Sequence, residues 1–136
     1  MKQKIYGVVP PISTPIDEHE HVDEKALRKL IDHCIDKGLH GIFVCGTNGE
    51  CLGLTQAERN RAIKITLDQV AGRVPVLVGV TDTSLDESVK LAAHAAKCGA
   101  VAVVAAAPYY FAPSQQELIE YYTALADALP LPLFLY

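Results

Sequence analysis

The chain has 136 residues, 50% of them hydrophobic, and a formal net charge of −4, which is the composition of one soluble globular domain and is not basic enough for a nucleic-acid footprint. No apolar run reaches the length that spans a bilayer, and the opening "MKQKIYGVVPPIST" puts prolines where a signal peptide needs an unbroken apolar core. The sequence therefore reads as cytoplasmic, with neither nucleic acid nor membrane among its partners.

In chain order, "YGVVPPI" reads as a first strand. A helix then begins near Asp23, with Leu27, Leu30, Ile31, Cys34 and Ile35 on one face at helical spacing. Gly38 suits the position just past its end, and "GIFVC" follows as a second strand. "TQAE" at Thr55, "SLDE" at Ser84 and "SQQE" at Ser114 each place a hydroxyl three residues before a glutamate, the pattern of a reciprocal helix cap, so three more helices are expected. These starts recur at about 30 residues, the size of one βα unit. Gly72 and Gly99 close the second and third helices, and "VPVLVGV", "AVAVVAAA" and "LPLFLY" supply the later strands. None of these runs alternates polar with apolar, as expected of strands covered on both faces.

The order is β-α-β-α-β-α-β-α-β, a parallel α/β architecture that occupies residues 1–136 without an internal boundary. A doubly wound sheet should carry GxGxxG after its first strand, and the chain reads "PPISTPIDE" there. The (β/α)8 barrel is the better fit, and the chain would supply roughly its first five strands and four helices. A complete barrel needs eight strands and about 250 residues, so the expectation is part of a chain about twice as long.

Four cysteines, Cys34, Cys45, Cys51 and Cys98, form no CxxC pair and read as reduced structural thiols. His19 and His21 flank Glu20 with no second ligand cluster, and read as solvated loop residues. Nothing in the residues implies a metal, a nucleotide or another cofactor.

In a barrel the active site lies at the C-terminal ends of the strands. Those ends carry Ser13 and Thr14, then Gly46, Thr47 and Asn48, then Thr81 and Asp82, then Tyr109 and Tyr110, and finally Tyr136. Such a rim of hydroxyls suits proton relay and the binding of a small carboxylate or carbonyl. The turn "GTNGE" is either a tight connection or an anion-binding concavity of backbone N–H groups.

"GTNGE", "PYY" and "LPLFLY", with "STP" and "LTQAER", resemble the dihydrodipicolinate synthase and N-acetylneuraminate lyase family of class I aldolases along the whole chain. The resemblance implies a (β/α)8 barrel, usually tetrameric, that forms a Schiff base between a lysine and pyruvate or another 2-oxo acid. It assigns Thr47 as the relay hydroxyl and Gly46, Thr47, Asn48 and Gly49 as the turn that holds the 2-oxo acid carboxylate. Tyr136 becomes the proton-shuttling tyrosine, and Tyr110 the tyrosine lent across a subunit interface. The implied partners are pyruvate, an aldehyde or sugar-acid co-substrate, and further copies of the chain.

Two departures qualify that reading. Asn48 stands where many synthases have a second threonine, which leaves N-acetylneuraminate lyase and 2-oxo-3-deoxy sugar-acid aldolases or dehydratases as alternatives. In the family the Schiff-base lysine lies on the sixth strand, beyond residue 136. Lys2 and Lys4 precede the first strand, and Lys25, Lys29, Lys37, Lys64, Lys90 and Lys97 read as helical, so the chain alone is expected to be inactive. A non-catalytic 2-oxo acid-binding or regulatory barrel lacking the lysine is the alternative from another class.

Overall fold

The computed structural model describes residues 4–136. Its elements follow in the order α1 (Glu24–Asp36), β1 (Ile42–Val44), α2 (Gln56–Val70), β2 (Val76–Gly79), α3 (Leu85–Cys98), β3 (Ala102–Ala105), α4 (Gln115–Ala128) and β4 (Leu133–Leu135). Two 3₁₀ turns, Thr47–Gly49 and Cys51–Gly53, lie between β1 and α2. The strands pair in parallel in the order β1-β2-β3-β4. That order never reverses, so it has no switch point of the kind that marks a doubly wound sheet. Helices entered by right-handed crossovers from an unreversed sheet fall on one face, where α1 packs on α2, α2 on α3 and α3 on α4. The arrangement is a sector of a parallel α/β barrel.

Strand alternation divides the core into two layers. Ile42, Val44, Val76, Val78 and Val103 face the helices and join Leu27, Ile31, Ile63, Leu91 and Leu125 in one cluster. Leu77, Ala102 and Val104 face the other way and pack with Val9 and Phe43 on the inner surface. The flank of β4 is open among the described residues: Ile119 on α4 and Leu135 on β4 are 61% and 63% exposed.

The leading segment differs from the expected first strand. It runs extended beside β1 and is joined to it by a single bridge, Pro11 to Phe43. Phe43 N–H donates to the Pro10 carbonyl at 3.1 Å and Ile12 N–H to the Phe43 carbonyl at 2.9 Å. Pro10 faces β1 but has no N–H to donate, which removes the preceding rung of the ladder.

The four helix starts are capped as expected, with Asp23, Thr55, Ser84 and Ser114 accepting from Ala26, Glu58, Glu87 and Glu117 N–H. The reciprocal half of the cap is a correction. It forms at Ser114, whose N–H donates to the Glu117 carboxylate at 2.7 Å. At Thr55 the glutamate is diverted, because Glu58 accepts from Val22 N–H at 2.6 Å. At Ser84 it meets a cation instead, with Lys90 Nζ donating to Glu87 at 2.8 Å. At the end of α2 the left-handed turn starts one residue early, at Ala71 (φ 48°), ahead of Gly72.

Ile63 is fully buried between α2 and the sheet. Ile63→Ala should lower the unfolding free energy by about 2–5 kcal/mol, read as a shift of the urea midpoint at unchanged slope.

Candidate active site

The C-terminal ends of β1 to β4 surround a cleft of about 380 Å³. Its position follows from the topology, since parallel strands finish at the same end of the sheet. β1 finishes at Val44, and Cys45 breaks out of the strand with φ 58°. Gly46 then opens the first 3₁₀ turn, closed by Gly49 N–H to the Gly46 carbonyl and Glu50 N–H to the Thr47 carbonyl at 3.1 and 3.0 Å. The N–H groups of Thr47 and Asn48 find no acceptor among the described residues. They are the donors such a turn leaves free for an anion.

Both glycines of the turn are set by packing. A Cβ on Gly46 would lie 3.0 Å from the Phe43 ring and 3.1 Å from Pro11 Cβ. One on Gly49 would lie 2.9 Å from Thr14 Oγ1 and 3.0 Å from the Ile12 carbonyl. The leading segment, although barely a strand, is therefore the floor on which the turn rests. Gly79 is more constrained still, because a Cβ there would overlap the carbonyl of Cys45. β1 and β2 converge at that point, directly under the cleft.

The structure brings Gly46, Thr47 and Tyr136 to the wall of the cleft, together with Thr81 and Tyr109. Tyr136 follows Phe134 by two residues on the inner face, and its N–H donates to the Ala105 carbonyl at 3.0 Å. Thr81 holds the next loop, its hydroxyl accepting from Ala106 N–H at 2.9 Å. Asn48 and Gly49 do not reach the wall: Asn48 is exposed to solvent and Gly49 is buried against Thr14. Tyr110 also stands apart, 89% exposed at φ 80°, with its ring edge on to Phe111 at 4.9 Å. Of the described lysines, Lys4, Lys25, Lys29, Lys37, Lys64, Lys90 and Lys97 are all exposed, and none lines the cleft. Lys37 follows α1 as its C-terminal cap and is not inside the helix; Lys2 lies outside the described residues.

Sequence reasoning missed Cys51 and Arg59. Cys51 is buried and lines the cleft beside Cys45. Arg59 on α2 is only 4% exposed. Its Nε donates to the Cys51 carbonyl at 2.7 Å, and its Nη1 donates to Asp82 Oδ2 at 3.0 Å and the Thr81 carbonyl at 3.5 Å. Asp82 is fixed in turn by Ser84 N–H at 3.0 Å and Gln56 Nε2 at 3.3 Å. A signal for Arg59 existed, since it falls on the same helical stripe as the buried Ala62, Ile63, Thr66 and Val70.

Burial pushes the Cys45 thiol up to about 12, with a further rise from Cys51 and an opposing pull from Arg59. Burial also raises Cys51, against the pull of Arg59. These are thiols of the cleft floor and not nucleophiles. No group of three or more His, Cys, Asp or Glu that could hold a metal ion occurs among the described residues.

A family model described as the dihydrodipicolinate synthetase family matches residues 4–136. The chain is 43% identical over 130 residues to a 4-hydroxy-tetrahydrodipicolinate synthase of Syntrophus aciditrophicus, covering 96% of this chain and 44% of the relative. It is 40% identical over 134 residues to YjhH of Escherichia coli, named a probable 2-dehydro-3-deoxy-D-pentonate aldolase, covering 98% and 44%. Among solved structures it superposes with a TM-score of 0.91 on YagE, a prophage protein of the dihydrodipicolinic acid synthase family from E. coli K12 in complex with pyruvate, at 37% identity over 96% of this chain and 44% of that one. The chain thus spans about 44% of the length of the curated relatives it matches.

Two measurements test the geometry of the cleft floor. Gly79→Ala should force β1 and β2 apart at a cost of about 3 kcal/mol, seen as a lower urea midpoint. At pH 8 a thiol alkylator should leave Cys45 unmodified in the folded protein and label it once denaturant is added; labelling of Cys45 in the folded state would contradict its place under the turn.

Proposed function

The chain belongs to the dihydrodipicolinate synthetase family, and from that premise we propose that it supplies the carboxylate turn and the relay hydroxyls of a class I aldolase that makes or breaks a bond to a pyruvate-derived unit. The observation that carries the proposal is the shared cleft of Gly46, Thr47 and Tyr136 at the strand ends. The pyruvate complex of YagE supports the choice of 2-oxo acid. On this reading the Schiff-base lysine comes from the rest of a longer polypeptide, and the 136 residues alone are inactive.

The chemistry assigns a task to each group. The carboxylate of the 2-oxo acid accepts from the main-chain N–H groups of Thr47 and Asn48 in the turn. The lysine amine adds to the ketone to give a carbinolamine, and loss of water from that adduct needs a proton delivered to the departing hydroxyl. Tyr136 delivers it and is reprotonated through Thr47, because a phenol and an alcohol can each donate and accept in one chain. Tyr110 is the group lent to a neighbouring copy, in a dimer or tetramer working in the cytoplasm. Its outward side chain is compatible with that role.

Synthase activity is the first reading, supported by the Syntrophus relative. A 2-oxo-3-deoxy sugar-acid aldolase is the second, supported by Asn48 in the turn and by YjhH.

Borohydride with pyruvate tests both at once. The full-length polypeptide that carries this chain should gain the mass of one reduced pyruvate, and the 136-residue chain should gain none. Tyr136→Phe in the full-length protein should lower kcat by about 10²–10⁴-fold. Failure of the unsubstituted protein to form an adduct would remove the aldolase reading. Release of pyruvate from a 2-oxo-3-deoxy sugar acid would select the second substrate class.

A further inference from the structure

We propose that Arg59 is the positioning residue of the carboxylate turn, its guanidinium fixing the exit of the turn against the neighbouring loop. The functional consequence rests on the aldolase reading above. The turn Gly46–Glu50 is flanked by Cys45, which meets the main chain of Arg59, and by Cys51, which meets its side chain. Before the turn, the Cys45 thiol donates to the main-chain carbonyl of Arg59 at 3.9 Å. After it, the Arg59 Nε–H donates to the Cys51 carbonyl at 2.7 Å.

The same guanidinium reaches the next loop through the Thr81 carbonyl at 3.5 Å and Asp82 at 3.0 Å. Thr81 carries the linkage on to Ala106, at the end of β3. Three strand-end loops are thus referenced to one residue on α2. A planar fork with several donors can hold two carbonyls and a carboxylate at once, whereas an ammonium is a single point charge.

Stability alone does not account for the pair. The Arg59 and Asp82 side chains are 5% and 14% exposed, and a buried ion pair is often replaceable by apolar residues without loss of stability. What apolar residues cannot replace is the direction the guanidinium imposes on the Cys51 and Thr81 carbonyls. Because Arg59 acts on the turn that binds substrate in the ground state and the transition state alike, its loss should appear in KM more than in kcat.

The test uses the full-length polypeptide with Arg59→Met, which strands the Asp82 charge, and with Arg59→Met/Asp82→Asn, which does not. The double variant should unfold at the urea midpoint of the unsubstituted protein. It should nevertheless show KM for pyruvate raised about tenfold, as expected for the loss of hydrogen bonds from a charged donor, with kcat changed less. Amide hydrogen exchange at residues 46–53 should quicken about tenfold, while that of β2 and β3 stays as it was. Arg59→Lys should recover stability but not KM. A folded double variant with unchanged KM and unchanged exchange would overturn the inference even where the borohydride adduct forms. An absent adduct with quickened exchange would overturn the aldolase reading and leave the positioning role standing.

Discussion

Parallel pairing in unbroken order is the constraint on which the molecule depends. Once β1, β2, β3 and β4 lie side by side in the same direction, the first residues after each strand must meet at one end of the sheet. Right-handed crossovers leave no place for the helices except the opposite face from Leu77 and Val104. The cleft is then a consequence of topology, and its chemistry is decided by a few residues at four strand ends. Gly79 shows how tight that convergence is, since even a methyl group is excluded where β2 passes the Cys45 carbonyl.

Much of this was legible because it rests on local chemistry. The hydroxyls of Thr55, Ser84 and Ser114 stop the chain and start a helix wherever they stand, and an apolar run covered on both faces reads the same in any barrel. The glutamates of the caps were less legible, because a carboxylate goes to whichever donor the tertiary structure offers. For Glu58 that donor is the N–H of Val22, thirty-six residues away. Proline misled in the other direction: the leading segment has the apolar content of a strand, but Pro10 faces β1 without a donor to maintain the ladder.

Within the candidate site, the residues that follow their strands directly reached the wall, and those that depend on loop direction did not. Thr47 and Tyr136 line the cleft, while Asn48 turns outward and Tyr110 extends into solvent at a positive φ. Arg59 was hidden by its type, since an arginine amid "QAERNR" reads as a solvated helix face. Its place on the buried stripe was readable, but its charge partner Asp82 stands on another loop, twenty-three residues away. The result is a pocket with no cation on its wall among the described residues, beside a buried guanidinium that is committed to Asp82.

The two prolines of the leading segment also give the sheet a direction. Pro10 and Ile12 turn their main chain toward β1, so Pro11 faces the outer flank, where it presents a ring nitrogen in place of a donor. β4 presents an unblocked main chain on its far side, with Leu135 exposed beside it. A strand arriving from elsewhere is therefore accepted more readily after β4 than before β1.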